Sequence, residues 1–159
     1  MTQYTHIRNA TGKLTIKNTT FLIDPFLAPK DTYPGFEGTF NYQQRMPIVD
    51  LPLSMDQLLS DVDAVVVTHT HLDHWDDSAV QAIPKSLPIF VQNSADQKLI
   101  SSQGFNDVRI IFESVDFNDI TLTKTGGSHG TIEMYANPNL AALAGDAMGV
   151  IFETLNEPT

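Results

Sequence analysis

Apolar and polar positions change their period along the chain, and each change marks an element. The opening HIRNATGKLTIKNTTFLIDPF sets short β-branched and apolar runs between the breaks Thr11-Gly12 and Asn18-Thr19, which predicts two or three antiparallel strands. From Pro25 to Pro52 neither a helical nor a strand period survives, and Pro, Gly and aromatic residues take over. A stretch of this length without periodic structure is characteristic of a functional lid or of disorder. Tyr33, Phe36, Phe40 and Tyr42 within it predict a packed lid, or a surface loop laid against its own domain. In LPLSMDQLLSDV, Ser54 and Gln57 form a capping box for a short helix, and DAVVVTH reads as a buried strand. Asp76-Asp77 put negative charge at the start of a helix running to about Ile83, where Pro84 stops it.

The strand-then-helix pattern recurs. LPIFVQN predicts a strand, Ser94 and Gln97 a second capping box opening SADQKLISSQ, and Gly104 the end of that helix. RIIF, DITLTKT and GVIFET predict further strands. Strands alternating with helices in the middle, flanked by strand-only segments, predict an α/β layered fold.

The length of 159 residues suits one domain with one core. No apolar run is long enough to span a bilayer, and MTQYTHIRN has no secretory pattern, so the expectation is a cytoplasmic protein without a membrane partner. A formal net charge of −10, with nine scattered Lys and Arg, disfavours nucleic acid as a partner. Cysteine is absent, which excludes disulfides and thiolate metal sites, so any metal must be held by imidazole and carboxylate.

Such ligands are concentrated in THTHLDHWDD, residues 68–77, where His69, His71, Asp73 and His74 fall within six residues directly after AVVV. A lone HxH reads most simply as a polar turn, but four ligand-type side chains in that space point to metal binding. His69 and His71, one residue apart in an extended segment, can reach one ion. A third imidazole has to come from elsewhere, and His129 in TGGSHG, among glycines that allow close backbone approach, is the candidate. Asp73 and His74 are placed for a second ion or for positioning a water. Asp24, in FLIDPF, reads equally as a carboxylate supporting a ligating histidine and as a strand-ending turn. His6 reads as a surface residue and Trp75 as packing.

HTHLDH resembles the HxHxDH signature of the metallo-β-lactamase-fold superfamily of metal-dependent hydrolases. With FLIDPFLA, RMPIVDLP, LPIFVQN, KTGGSHG and MGVIFE, most of the chain is similar to the N-terminal half of the branch related to L-ascorbate-6-phosphate lactonase. The resemblance implies an αββα sandwich, compact or partial, with one or two ions, zinc or manganese, at one sheet edge. It further implies that His69, His71 and His129 hold the first ion and that Asp73 and His74 contribute to the second. Members of that superfamily add a Gly-Asp-Thr-like turn and a final His beyond the strand matching GVIFET, and neither occurs before Thr159. Gly145-Asp146 imitates the turn but precedes MGVIFE, so the resemblance puts it in an inserted loop.

The expected function is therefore hydrolysis of a small ester, lactone or phosphodiester by a metal-bound hydroxide, with Asp73 orienting it or accepting its proton. The alternative is a non-catalytic metal-binding or interaction domain derived from such a hydrolase. With the C-terminal half of the fold apparently missing, the expectation is also a homo-oligomer or a complementing chain.

Overall fold

The computed structural model describes residues 1–35, 37–38 and 40–154; Phe36, one of the four aromatics expected in the lid, lies outside the described residues. Three strands open the chain: β1 (Thr2–Arg8), β2 (Thr11–Ile16) and β3 (Thr19–Ile23). They pair antiparallel in chain order, as the sequence pattern predicts. After a long loop come α1 (Met55–Leu59), β4 (Ala64–Val67), α2 (Asp77–Ala82), β5 (Ile89–Val91), α3 (Ser94–Ser102) and β6 (Val108–Ile110). Strands β3 to β6 run parallel, so the first sheet has the order β1-β2-β3-β4-β5-β6. A second, antiparallel sheet is made of β7 (Ser114–Phe117), β8 (Ile120–Gly127) and β9 (Ala147–Thr154), with α4 (Ile132–Ala136) and α5 (Pro138–Ala144) between its last two strands.

The apolar run AVVV forms the centre of the molecule because both of its faces are covered. Val65 and Val67 point into a core shared with Leu58 of α1, Ala79 of α2 and Ile100 of α3. Ala64 and Val66 point the other way, into a core with Phe21, Phe90, Ile120, Leu122 and Met148. Strand β5 divides in the same manner, with Ile89 and Val91 toward the helices and Phe90 toward the second sheet. A continuous apolar run is what a parallel strand buried on both faces requires. The molecule is thus layered as helices, sheet, sheet, and among the described residues the second core draws none from a helix.

Several local expectations hold. Ser54 and Gln57 form the reciprocal capping box of α1, and Gly104 ends α3 with φ +93°. Trp75 is buried against Phe105, and its indole N–H donates to Gln103 Oε1 at 2.9 Å, so it is a packing residue.

Others are corrected. The cap of α3 is Asn93, whose Oδ1 accepts from Ala95 N and Asp96 N, so Ser94 and Gln97 form no capping box. Gln97 instead donates to Val108 O, tying α3 to β6. The segment around Gly145-Asp146 is not a plain inserted loop, because α4 and α5 precede the pair and β9 begins immediately after it. Strand β7 was not marked by any period in the sequence. It is placed by the turn at Asn118-Asp119, where both residues have positive φ, 48° and 61°, as a two-residue hairpin turn of matching twist demands.

The long loop is anchored at its base. The buried Arg8 guanidinium donates to Phe26 O, Ala28 O and Val49 O, holding both ends of the loop together. Tyr33 stacks on Phe26 with ring centroids 5.9 Å apart, whereas Phe40 is exposed, so the expected packing of the aromatics applies to Tyr33 and not to Phe40.

Candidate metal centre

Three parallel strands end side by side and deliver the residues of the site. Asp24 follows β3, Thr68 and His69 follow β4, and Gln92 follows β5. Sites at the carboxyl ends of parallel strands arise because the loops leaving a sheet there diverge and open a crevice. The second sheet closes the crevice from the other side. Strand β8 ends at Gly127, two residues before His129, and Met148 N donates to Thr68 O at 3.2 Å where β9 meets the end of β4. Glycine is needed at Gly127, since a Cβ there would lie 2.7 Å from the backbone oxygen of Ala147.

His69, His71 and His129 each turn one ligand atom inward, and those atoms lie within 4.8 Å of one another. His69 Nε2 and His129 Nε2 are 3.1 Å apart. The third imidazole expected from TGGSHG therefore comes to the HxH pair across 60 residues of chain.

The hydrogen bonds around His69 decide which of its nitrogens is free. The Thr68 hydroxyl gives its proton to Asp24 Oδ2 at 2.8 Å, so its oxygen can only accept from His69 Nδ1, 3.0 Å away. His69 Nδ1 carries the proton and Nε2 presents a lone pair to the other two imidazoles. Burial first, then the neighbouring His74, His71 and His129, push the His69 pKa down to about 3, so its ring is neutral near pH 7. A buried neutral imidazole with its lone pair aimed at two others is a donor set that a divalent cation fits.

Asp73 and His74 form a separate pair. His74 Nε2 lies 3.9 Å from Asp73 Oδ2, while Nδ1 lies 2.9 Å from Asp24 Oδ2 in a close contact too bent to be a good hydrogen bond. Burial disfavours the His74 cation, but Asp24, helped by Asp73, outweighs it and raises its pKa above the ordinary value. The His69 and His74 rings lie close, with centroids 3.9 Å apart and planes tilted by 46°.

Of the two readings open for Asp24, the supporting one matches the geometry. Its carboxylate accepts from Thr68 N at 2.7 Å and from the Thr68 hydroxyl, and it faces His74. Its backbone sits at φ +45°, an uncommon conformation for a non-glycine residue that turns the chain out of β3. Thr11, fully buried, holds that turn by donating to Asp24 O and accepting from Phe26 N.

Other supports carried no legible signal. Thr70, between the two histidines, donates to Asp96 Oδ1 of α3 at 2.8 Å. The Tyr135 hydroxyl accepts from His129 N at 3.1 Å and donates to Gly145 O at 2.9 Å, bridging the His129 loop to the end of α5. Gly145 lies against His71, since a Cβ on it would be 3.8 Å from His71 Nε2. The Asp146 backbone oxygen accepts from Gln92 Nε2, and the Asp146 carboxylate is not part of the converging group. The threonines of THTH alternate with the histidines, the one regularity that could have singled them out. His6, left out of the site, reaches Asn9 O at 2.8 Å on the surface. No helix among the described residues is long and apolar enough to cross a membrane.

The chain is similar to known proteins along most of its length. The chain is 44% identical over 153 residues to the UPF0173 protein YddR of Bacillus subtilis (strain 168), a match over 96% of this chain and 58% of that protein. The crystal structure of a possible metal-dependent hydrolase from Veillonella parvula DSM 2008 superposes with a TM-score of 0.96 at 85% identity, over 99% of this chain and 60% of the other. That of an isothiocyanate hydrolase from Delia radicum gut bacteria gives 0.91 at 46% identity, over 97% and 59%. The chain thus spans about six-tenths of the length of these relatives. The pattern of the beta-lactamase superfamily domain matches residues 19–158, and the chain belongs to that superfamily of metallo-hydrolases.

Proposed function

We propose that this chain is the metal-binding portion of a hydrolase that opens a small carbonyl-type electrophile, an ester, a lactone or a heterocumulene such as an isothiocyanate, with water. The observation that carries the reading is the convergence of His69, His71 and His129 around one point, with the His69 lone pair already directed there. These three would hold the cation, zinc on the preference of an all-imidazole set and manganese as the second choice. When bound, it supplies Lewis acidity to the electrophile and acidifies water.

The protein's own groups do the rest. Asp24 and Thr68 hold His69 in the tautomer that leaves Nε2 unprotonated, and Thr70, anchored on Asp96, fixes the backbone between His69 and His71. Asp73, whose side chain is one-third exposed, can orient the attacking water and take its proton on Oδ2. His74, with Nδ1 against Asp24, turns Nε2 toward Asp73, and these two side chains would contribute to a further ion. The isothiocyanate hydrolase relative supports the electrophile class, and the motif HTHLDH with its flanks supports the finer kinship with L-ascorbate-6-phosphate lactonases.

A non-catalytic metal-binding domain is the second reading, since the three converging imidazoles could hold an ion without any further group. One set of measurements separates the two. The chain is reconstituted with Zn²⁺ or Mn²⁺, its metal content determined, and turnover followed on lactones, esters, isothiocyanates and phosphodiesters. We expect metal binding at least tenfold weaker in His69→Ala and His71→Ala, and carbonyl-type turnover that falls with it. Unchanged metal content in both variants overturns the ligand assignment; intact binding with no turnover selects the second reading.

A further inference from the structure

A cavity of about 660 Å³ opens directly onto the metal centre, with His71 and His129 in its wall. Its size suits a small organic ligand. Most of the remaining lining is apolar: Leu72 from the motif, Met134 from α4, and Leu143 and Ala144 from α5. Leu143 is 73% exposed and Leu72 37%, so the apolar wall faces the open cavity and is not sealed in the core. Among the described residues of the lining, the one ionisable side chain besides the histidines is Glu37, an acid from the long loop.

No Lys or Arg is among the described residues lining this cavity. Three basic side chains are committed to backbone oxygens outside this lining: Arg8 to Phe26 O, Ala28 O and Val49 O, Lys124 to Gln92 O, and Arg45 to Asp31 O and Thr32 O. A phosphorylated substrate would have to seat a dianion on leucine and methionine and opposite Glu37, with no cation outside the metal centre to meet it. That arrangement is strongly unfavourable, because desolvating an unpaired charge is costly. An uncharged hydrophobic group gains there instead, roughly in proportion to the apolar surface it covers.

Resting on the hydrolase reading above, we propose that the substrate is a neutral electrophile bearing an apolar substituent. The substituent lies on Leu72, Met134, Leu143 and Ala144, and the reacting carbon is next to His71 and His129. Phosphorylated lactones and phosphate esters are disfavoured by the same wall, so the kinship with L-ascorbate-6-phosphate lactonases does not extend to a phosphorylated substrate. For a lactone the step adds water across the acyl C–O bond, leaving one hydroxy acid. For an isothiocyanate, R–NCS and H₂O give R–NH₂ and COS.

The test has a turnover arm and a binding arm. In the first, the metal-loaded chain hydrolyses γ-lactones whose alkyl tail lengthens by one methylene at a time, beside a phosphorylated lactone. We expect kcat/KM to rise about fourfold per methylene until the cavity is full, and the phosphorylated lactone to be the poorest substrate. Leu143→Asp, a change at an exposed position, and Met134→Ser should flatten the rise while metal content stays unchanged. In the second arm, 2-phenylethanol and 2-phenylethyl phosphate are titrated into the metal-free chain by calorimetry. The alcohol should bind, the phosphate should not, and Leu143→Asp should abolish binding of the alcohol.

The binding arm separates the two ideas. Binding of the alcohol without any turnover removes the hydrolase reading and leaves the apolar subsite standing. A kcat/KM indifferent to tail length, or preference for the phosphorylated compound in either arm, overturns the subsite.

Discussion

His69 is the residue on which the centre depends, and its protonation gives a test that needs no substrate. In the unfolded chain it takes a proton at its ordinary value of 6.5, but in the fold only near pH 3. Between those values the unfolded state binds more protons, so the metal-free protein loses stability as the pH falls from about 6.5 toward 3. His74 is shifted upward, so its contribution is fully present below its unfolded value and is lost only as the pH rises through its higher folded value. In the acid window His69 is the shifted group that costs stability as the pH falls, while Asp76, whose pKa burial raises, acts in the opposite sense. Thermal unfolding of chelator-treated protein at pH 7 and pH 4.5 should show a larger drop for wild type than for His69→Gln; parallel curves would refute the assignment. Tyr135 gives a second test at this scale. Its hydroxyl links His129 N to Gly145 O, so Tyr135→Phe should free the His129 loop and weaken metal affinity about tenfold, with little change in melting temperature. Equal affinity in a metal titration of the two proteins would remove Tyr135 from the centre.

At the level of elements, α2 shows how one side chain joins helix, loop and site. Asp76 caps α2 through Ala79 N and also accepts from Leu27 N and Ala28 N, at the base of the long loop. Burial pushes its pKa up even though three N–H groups and the Arg8 charge favour the carboxylate. Asp76→Ala leaves those buried donors without an acceptor and should destabilise the fold by about 2–4 kcal/mol in denaturant unfolding. Asp76→Asn keeps one acceptor for Leu27 N and Ala79 N but turns an NH₂ toward Ala28 N, so it should recover part of the loss, which a purely electrostatic role would not allow. Local sequence chemistry was readable here, because a cap, a proline stop and an apolar run act over a few residues. It failed at α3, where Ser94 and Gln97 have the right spacing but Asn93, one position earlier, takes the cap. It failed also at α4 and α5, whose faces settle against a site that exists only once β4, β8 and β9 have come together.

For the whole molecule, the outer side of β9 matters most. This eight-residue strand pairs with β8 on one side and is the last strand of its sheet among the described residues. It carries no proline or basic residue, and Ile151 is half exposed. An open edge of this kind invites another strand. We therefore expect the chain to self-associate through β9, most simply as a two-fold pair, with one tightly held ion per chain at the three histidines. Light scattering coupled to size exclusion, with metal analysis of the same peak, tests both, and Ile151→Lys should shift the population toward monomer. A stable monomer holding two tight ions would contradict this expectation and bring Asp146 back as a ligand.

Local pattern alone determined the antiparallel opening, the buried AVVV strand, the α1 cap and the clustering of His69, His71, Asp73 and His74, since each depends on neighbours in sequence. Tertiary structure decided what depends on contact across the chain. It brought His129 to the HxH pair, set Asp24 and Thr68 behind His69, and bridged His129 to Gly145 through Tyr135. It also placed the apolar residues of α4 and α5 beside the histidines. The physical reason is that a site is a set of distances between side chains, and strand pairing and sheet packing set those distances, whereas periodicity records only which face of its own element a residue occupies.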